Sequence, residues 1–325
     1  MRDRILRHTR ASWPFELFIV THVDTDHIGS ALRLLADGRP GLEPGDTWVN
    51  VWRHLESDTR ADRLGPIDGE IFSTLLDESR WCWNAAFSGE AVVVPDAGPL
   101  PVRCLPGGMR LTLLSPGPGQ LARLRRDWRS VVRDAGLDPG RPEQARKALR
   151  AFAVRKGIQP DRLGTLPDVA ALARSEFVPD SSPANGSTIA VLAEFDGRAV
   201  LLGGDGFADV LTANVRRLAQ ERGGGKLAVD AFKLPHHGSK HNVSSDLLTA
   251  VSCSRYMFST NGTSFGHPDQ AAVARVILEG GRRPVLLFNY LTDVNAVWDD
   301  PRLRRKFEYK TVYPERGTSG LTVSL

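Results

Sequence analysis

The sequence predicts an α/β protein, and two observations lead there. In its second half, short β-branched and aliphatic runs alternate with longer stretches of helical periodicity, the alternation expected of βαβ units. Side chains able to bind metal or move protons gather where those runs end, which is where α/β scaffolds carry their sites. Hydrophobic residues make up 41% of the chain and charged residues 25%, ordinary globular proportions. The 325 residues fit a single domain, 1–325, of this class. No apolar run approaches the roughly 20 residues that span a bilayer, so no membrane association is expected. Met1-Arg2-Asp3-Arg4 has charge but no apolar segment of a signal peptide. Cys82, Cys104 and Cys253 form no Cys-x-x-Cys pair, which argues against a disulfide framework and for a cytoplasmic location.

Leu17-Phe18-Ile19-Val20 reads as a buried strand, and Ile28, Ala31, Leu32 and Leu35 give a helix that closes at Asp37-Gly38. The turn joining them is Thr21-His22-Val23-Asp24-Thr25-Asp26-His27. Alternate residues of an extended segment share a face, so His22 and Asp24 point the same way. The turn can bring Asp26 and His27 round to meet them. Imidazole and carboxylate together suit Zn²⁺, Mn²⁺ or iron.

Thr47 to Trp52 reads as the next strand by its aromatic and β-branched content, followed closely by His54. A helix is expected over 67–83, and short strands over Ala91–Val94 and Arg110–Leu114. Residues 118–175 read as a helical insert. Leu121, Leu124, Trp128, Val131 and Val132 mark one amphipathic helix, and Ala145, Leu149, Phe152 and Ala153 another. Residues 123–162 hold twelve Lys and Arg against five Asp and Glu, while the whole chain carries only +4. A merely soluble face would mix its signs. Arg125, Arg126 and Arg129 are therefore candidates for holding a phosphate backbone, with an acidic protein as the rival partner.

Farther on, a strand from Ser187 to Phe195 turns at Asp196-Gly197 into Ala199–Leu202 and ends at Gly204-Asp205. Helix 208–222, strand 230–234, helix 244–251, strand 256–259, helix 269–279 and strand 285–288 follow. Gly320 to Leu325 reads as a final strand.

Four stretches now stand in order: His22-Val23-Asp24-Thr25-Asp26-His27; Asn185-Gly186-Ser187-Thr188 running to Gly204-Asp205; Pro235-His236-His237-Gly238-Ser239; and Ser259-Thr260-Asn261 with Gly266-His267-Pro268. The first resembles the His-x-His-x-Asp-His signature of the metallo-β-lactamase fold, with Asp24 in place of the second His. The set is similar to the hydrolase domain of the DNA-uptake protein ComEC and to free-standing bacterial proteins related to it, over most of residues 16–290. The resemblance implies an αββα sandwich and a site for two divalent ions, Zn²⁺ or Mn²⁺. Its ligands would come from His22, Asp24, Asp26, His27, Asp205 and His237, with His236 as second choice for the last. The family's third-motif histidine has no counterpart here; Asn185 and Thr188 occupy that region. Only 21 residues precede His22, so the family's first N-terminal strands are expected to be missing, leaving an apolar edge beside Phe18 and Val20.

A two-metal site can supply hydroxide near neutral pH and clamp both oxygens of an in-line displacement. The expected activity is a metal-dependent phosphodiesterase or nuclease acting on DNA, RNA or a nucleotide. Asp26 would hold metal and orient water. His267 would donate to the leaving group or a non-bridging oxygen, the alternative being a structural loop histidine. Ser239, Lys240, His241 and Asn261 are candidate substrate contacts. A partner protein of a multi-gene bacterial system is compatible with this reading. The alternatives are hydrolysis of a small ester, lactone or β-lactam, and a non-catalytic binding protein of the same fold.

Overall fold

The computed structural model describes residues 15–36, 43–55, 65–79, 81–134, 138–140, 166–263, 265–315, 318 and 320–325. In chain order the regular elements begin with β1 (Leu17–Ile19), α1 (Thr25–Ala36), β2 (Asp46–Trp48), α2 (Gly65–Glu78), β3 (Val102–Cys104), β4 (Arg110–Ser115) and α3 (Pro118–Asp134). They continue with α4 (Val169–Ala173), α5 (Pro183–Gly186), β5 (Ala190–Phe195), β6 (Arg198–Leu202), α6 (Ala208–Glu221), β7 (Leu227–Ala228) and β8 (Ala231–Lys233). The last are α7 (Ser245–Ala250), β9 (Val251–Ser252), β10 (Arg255–Phe258), α8 (Gln270–Glu279), β11 (Val285–Phe288), α9 (Pro301–Phe307) and β12 (Lys310–Val312). The chain is mixed α/β, as its sequence predicts, and it groups into two compact units.

The first unit comprises residues 1–109, 115–154 and 182–189. Its strands β1 and β2 pair in parallel, Leu17 with Asp46 and Ile19 with Trp48. Among the described residues β2 is the one strand paired with β1. Helices α1, α2 and α3 bury Ile28, Leu32, Ile71, Phe72, Leu124 and Trp128 in one apolar cluster with Val20, Val49 and Val51. The Trp128 indole N–H donates to Glu70 at 2.8 Å, and the Gly140 amide donates to the same carboxylate. Burial raises the pKa of Glu70, although both donors oppose the rise. Gly69 has to be glycine, since a Cβ there would lie 2.1 Å from the Trp128 ring.

Several expected strands are absent or shorter. Strand β2 stops at Trp48 because the backbone beyond it is taken by side chains: Val49 N–H donates to Asn84 Oδ1, and Asn84 Nδ2 returns a bond to the Val49 carbonyl. The expected strand at Ala91–Val94 is likewise no strand. Val92 exchanges both its backbone bonds with the Asn50 side chain, which does the work of a neighbouring strand. The second insert helix, expected around 145–153, lies outside the described residues.

The second unit comprises residues 110–114, 155–181 and 190–325. Through it one mixed sheet runs in the order β12-β11-β10-β8-β6-β5-β4. Strands β6, β8, β10, β11 and β12 are parallel to their neighbours, and β5 joins β6 as an antiparallel hairpin. The hairpin turns at Asp196 (φ 48°) and Gly197 (φ 73°), the left-handed pair that a two-residue loop requires. Phe232, Tyr256, Phe258, Leu286 and Phe288 are fully buried along the central strands, and α6 and α8 contribute Leu211, Val215, Val273 and Val276 to the buried core. The expected strand at 320–325 is not formed. Gly320 N–H bonds the Asn289 carbonyl and Arg255 reaches the Ser324 carbonyl, two separate tethers in place of a ladder.

Candidate metal centre

Thr21 to His27 runs from β1 into α1. The carbonyl of Asp24 accepts from His27 N–H and Ile28 N–H, so the helix begins directly after Asp24. This places Asp26 in the first turn, where the helix dipole favours an anion. His22 is buried, with Nε2 3.7 Å from Asp24 Oδ2. Its Nδ1 lies 3.1 Å from the Thr21 hydroxyl and 3.2 Å from that of Thr188. Thr21 Oγ1 also lies 3.0 Å from His27 Nδ1, and the two imidazoles pack at 4.2 Å. Holding both rings by Nδ1 leaves Nε2 as the side that can ligate.

In the second unit, adjacent parallel strands β6, β8 and β10 deliver polar residues at their C-terminal ends, the place where open α/β sheets bind ligands. Beyond β6, Gly203-Gly204 lead into the buried Asp205. A Cβ at Gly203 would come within 3.1 Å of the Lys233 carbonyl, so glycine lets the ends of β6 and β8 close up. The His236 amide then bonds the Gly204 carbonyl. His236 (φ 46°, ψ 50°) and His237 (φ 55°, ψ 16°) are both left-handed. That conformation costs a non-glycine residue about 1–2 kcal/mol, and such strain concentrates at functional sites.

His237 Nδ1 donates to the Ser259 carbonyl at 2.6 Å, which fixes the tautomer and presents Nε2, 3.7 Å from Asp205 Oδ2. His236 Nδ1 meets Asn242 Oδ1 at 2.9 Å and Asp180 Oδ2 at 3.3 Å, and its Nε2 lies 3.9 Å from Asp205. Burial opposes protonation of His236, but Asp180, Asp205 and Asn242 outweigh it and push its pKa up to about 9. Asn242 Nδ2 also donates to Asp180 and to the carbonyls of Asp205 and Gly206. Arg275 is buried, and its guanidinium holds the carbonyls of Lys240, Val243 and Ser175. Asp180, Asn242, Arg275 and the hydroxyl of Thr21 escaped the sequence reading. Each acts through a fold contact that no local motif marks.

In the first unit His27 Nε2 lies 3.9 Å from Asp26 Oδ2, and in the second His237 Nε2 lies 3.7 Å from Asp205 Oδ2. Each turn thus sets an imidazole beside a carboxylate, donors that suit a borderline or hard divalent ion.

The remaining candidates fall in different places. His267 is buried, with Nδ1 3.4 Å from Asp269 Oδ2 and its ring 5.1 Å from that of His236. Burial works to raise the pKa of Asp269, but His267, the Lys240 amide and the Lys240 charge together bring it below the carboxylate norm. Ser239 is not an open substrate contact. It is buried, and its Oγ accepts from the His241 amide inside the loop. His241 donates to the Val178 carbonyl. Lys240 is exposed, and Asn261 caps its own turn by accepting from Thr263. Arg126 is exposed, whereas Arg125 is buried with its guanidinium 5.6 Å from the Trp52 ring. Arg129 is half-buried on the same ring at 5.5 Å. Arg125 is thus a packing residue and no phosphate contact. His54 accepts from the Val51 amide, and burial, helped by Arg53, lowers its pKa to about 4.

No family model matches the chain, and no curated protein matches it. Among the described residues, no helix is long and apolar enough to cross a membrane.

Proposed function

We propose that the protein is a metal-dependent phosphodiesterase of the ComEC-like kind that its motifs resemble, with a metallo-β-lactamase fold. The observation that carries this reading is that each histidine turn sets an imidazole beside a carboxylate, His27 with Asp26 and His237 with Asp205. By the resemblance, Asp26, His27, Asp205 and His237 would hold a divalent ion, with His22, Asp24 and His236 as the donors for a second. Bound metal supplies Lewis acidity and an ionised water near neutral pH. The chain's own residues do the rest. Ser259 holds the His237 tautomer, and Asn242 with Asp180 orients His236. His267, backed by Asp269, is the proton donor on the substrate side. The exposed Arg123 and Arg126 of α3 favour a phosphodiester over a small neutral ester.

The test is metal analysis of the purified protein. It is followed by assays on single-stranded DNA, RNA and bis-p-nitrophenyl phosphate with added Mn²⁺ or Zn²⁺, on wild type and Asp205→Asn. Stoichiometric metal and hydrolysis that both vanish in Asp205→Asn support the reading. Full metal content and turnover in the variant would sink it.

A further inference from the structure

Phe265 is the most exposed large hydrophobic among the described residues, at 62%. A single apolar side chain in water is ordinary and asks for no explanation. Its neighbours are what distinguish it. The Phe265 ring sits 6.1 Å from that of His267 at 32°, and His267 in turn stacks on His237 at 6.5 Å and 23°. A row of three rings therefore leads from solvent to His237, a candidate metal ligand.

The loop that carries Phe265 is tied down rather than loose. Thr260 N–H donates to Asn289 Oδ1, Gly262 N–H to Thr260 Oγ1, and Thr263 N–H to Asn261 Oδ1. Beyond His267, Asp269 N–H bonds the Gly238 carbonyl, and Asp269 Oδ2 accepts from the Lys240 amide. Gly262 (φ 74°) and Gly266 (φ 71°) supply the left-handed bends on either side. The fold thus holds a hydrophobic ring in water beside the chemistry.

We propose that Phe265 is a stacking platform for one nucleobase of a single-stranded nucleic acid, next to the phosphodiester to be cut. The inference rests on the phosphodiesterase reading above and names its substrate class. An aromatic face accepts any base, because every base has a π-face, and it needs an unstacked base, which a single strand offers and a duplex does not. The exposed Lys240, whose backbone is held by the same Asp269 that contacts His267, suits a phosphate next to that base.

The experiment compares wild type, Phe265→Ala and Phe265→Trp as full-length, metal-loaded proteins. One substrate is an oligothymidylate, the other an oligomer of equal length made only of tetrahydrofuran abasic residues. Because the side chain is exposed, all three proteins should share one unfolding midpoint. Phe265→Ala should lose about five- to a hundredfold in kcat/KM on the base-bearing strand, the range that base–aromatic stacking supplies. It should stay within about twofold of wild type on the abasic strand, and Phe265→Trp should restore the loss. Equal losses on both strands would make Phe265 a loop support, and no loss on either would make it idle; both overturn the proposal. If wild type cuts neither strand, the phosphodiesterase reading fails by itself. Stacking is then decided by binding a 2-aminopurine oligonucleotide. Quenching by wild type that disappears in Phe265→Ala upholds it, and its absence in wild type rejects it.

Discussion

The turn from Thr21 to His27 runs on ordinary backbone into α1, whereas the turn from Pro235 to Gly238 holds adjacent histidines in left-handed conformation. In the first, position follows from a helix start: Asp24 closes the first hydrogen bonds, and two threonine hydroxyls steady the rings. In the second, position follows from constraint, imposed by Gly238, Asn242, the Ser259 carbonyl and Arg275. One turn is thus encoded by its local sequence, and the other is imposed by the fold around it. The first should tolerate loss of a supporting group; the second should not.

The largest effect is expected at Gly238. Its φ is 87°, and a Cβ would meet the Phe258 ring at 2.7 Å and Pro268 at 2.9 Å, both well inside contact. Gly238→Ala should cost about 3 kcal/mol or more, as strain and overpacking combine. It should lower the thermal midpoint and metal content together. A variant of unchanged stability would break the idea that this turn is over-determined.

Acid probes a histidine of the first unit that lies outside both turns. The folded-state pKa of His54 is lowered to about 4 from a normal 6.5. Above pH 6.5 neither state is charged there, so the group has no effect. Between about 6.5 and 4 the unfolded chain takes up a proton that the folded chain refuses, and stability falls as the pH drops. The full loss is about 3 kcal/mol. His54→Gln should flatten that part of the stability profile, measured by denaturant unfolding from pH 7 to pH 4. An unchanged slope would assign the acid loss to other groups.

Asn242→Ala should cost about 2 kcal/mol by leaving buried partners unmet. Metal affinity should fall about tenfold or more, because His236 and Asp205 lose their orienting contacts. Metal titration of the purified variant checks this. In the first turn the matching change, Thr21→Val, should cost only about 1 kcal/mol and a smaller part of the affinity, since it removes one contact from His27 while His22 keeps the Thr188 hydroxyl. Equal losses from the two changes would erase the contrast between the turns.

The α/β class, the 196–197 hairpin and the Thr21–His27 turn were legible because local periodicity and turn chemistry determine them, whereas the Pro235–Gly238 turn showed its histidines but not its left-handed backbone. The Ala91–Val94 misreading has a physical cause. Two asparagine side chains, Asn50 and Asn84, take backbone bonds that strand neighbours would otherwise supply, and no residue pattern announces that. Asp180 and Asn242 were hidden because a second layer of support is chosen by fold contacts and carries no motif. Arg125 is different, because its signal was present. It stands four residues after Leu121 and three before Trp128, squarely on the buried stripe of α3.

Arg275 has a consequence for the order in which the molecule is made. The loop holding His237 leaves the ribosome before the arginine that clasps its carbonyls, and α8 must dock before that clasp can close. Non-local contacts of this kind are paid for late in folding. The Pro235–Gly238 turn therefore takes its final support only once α8 has docked.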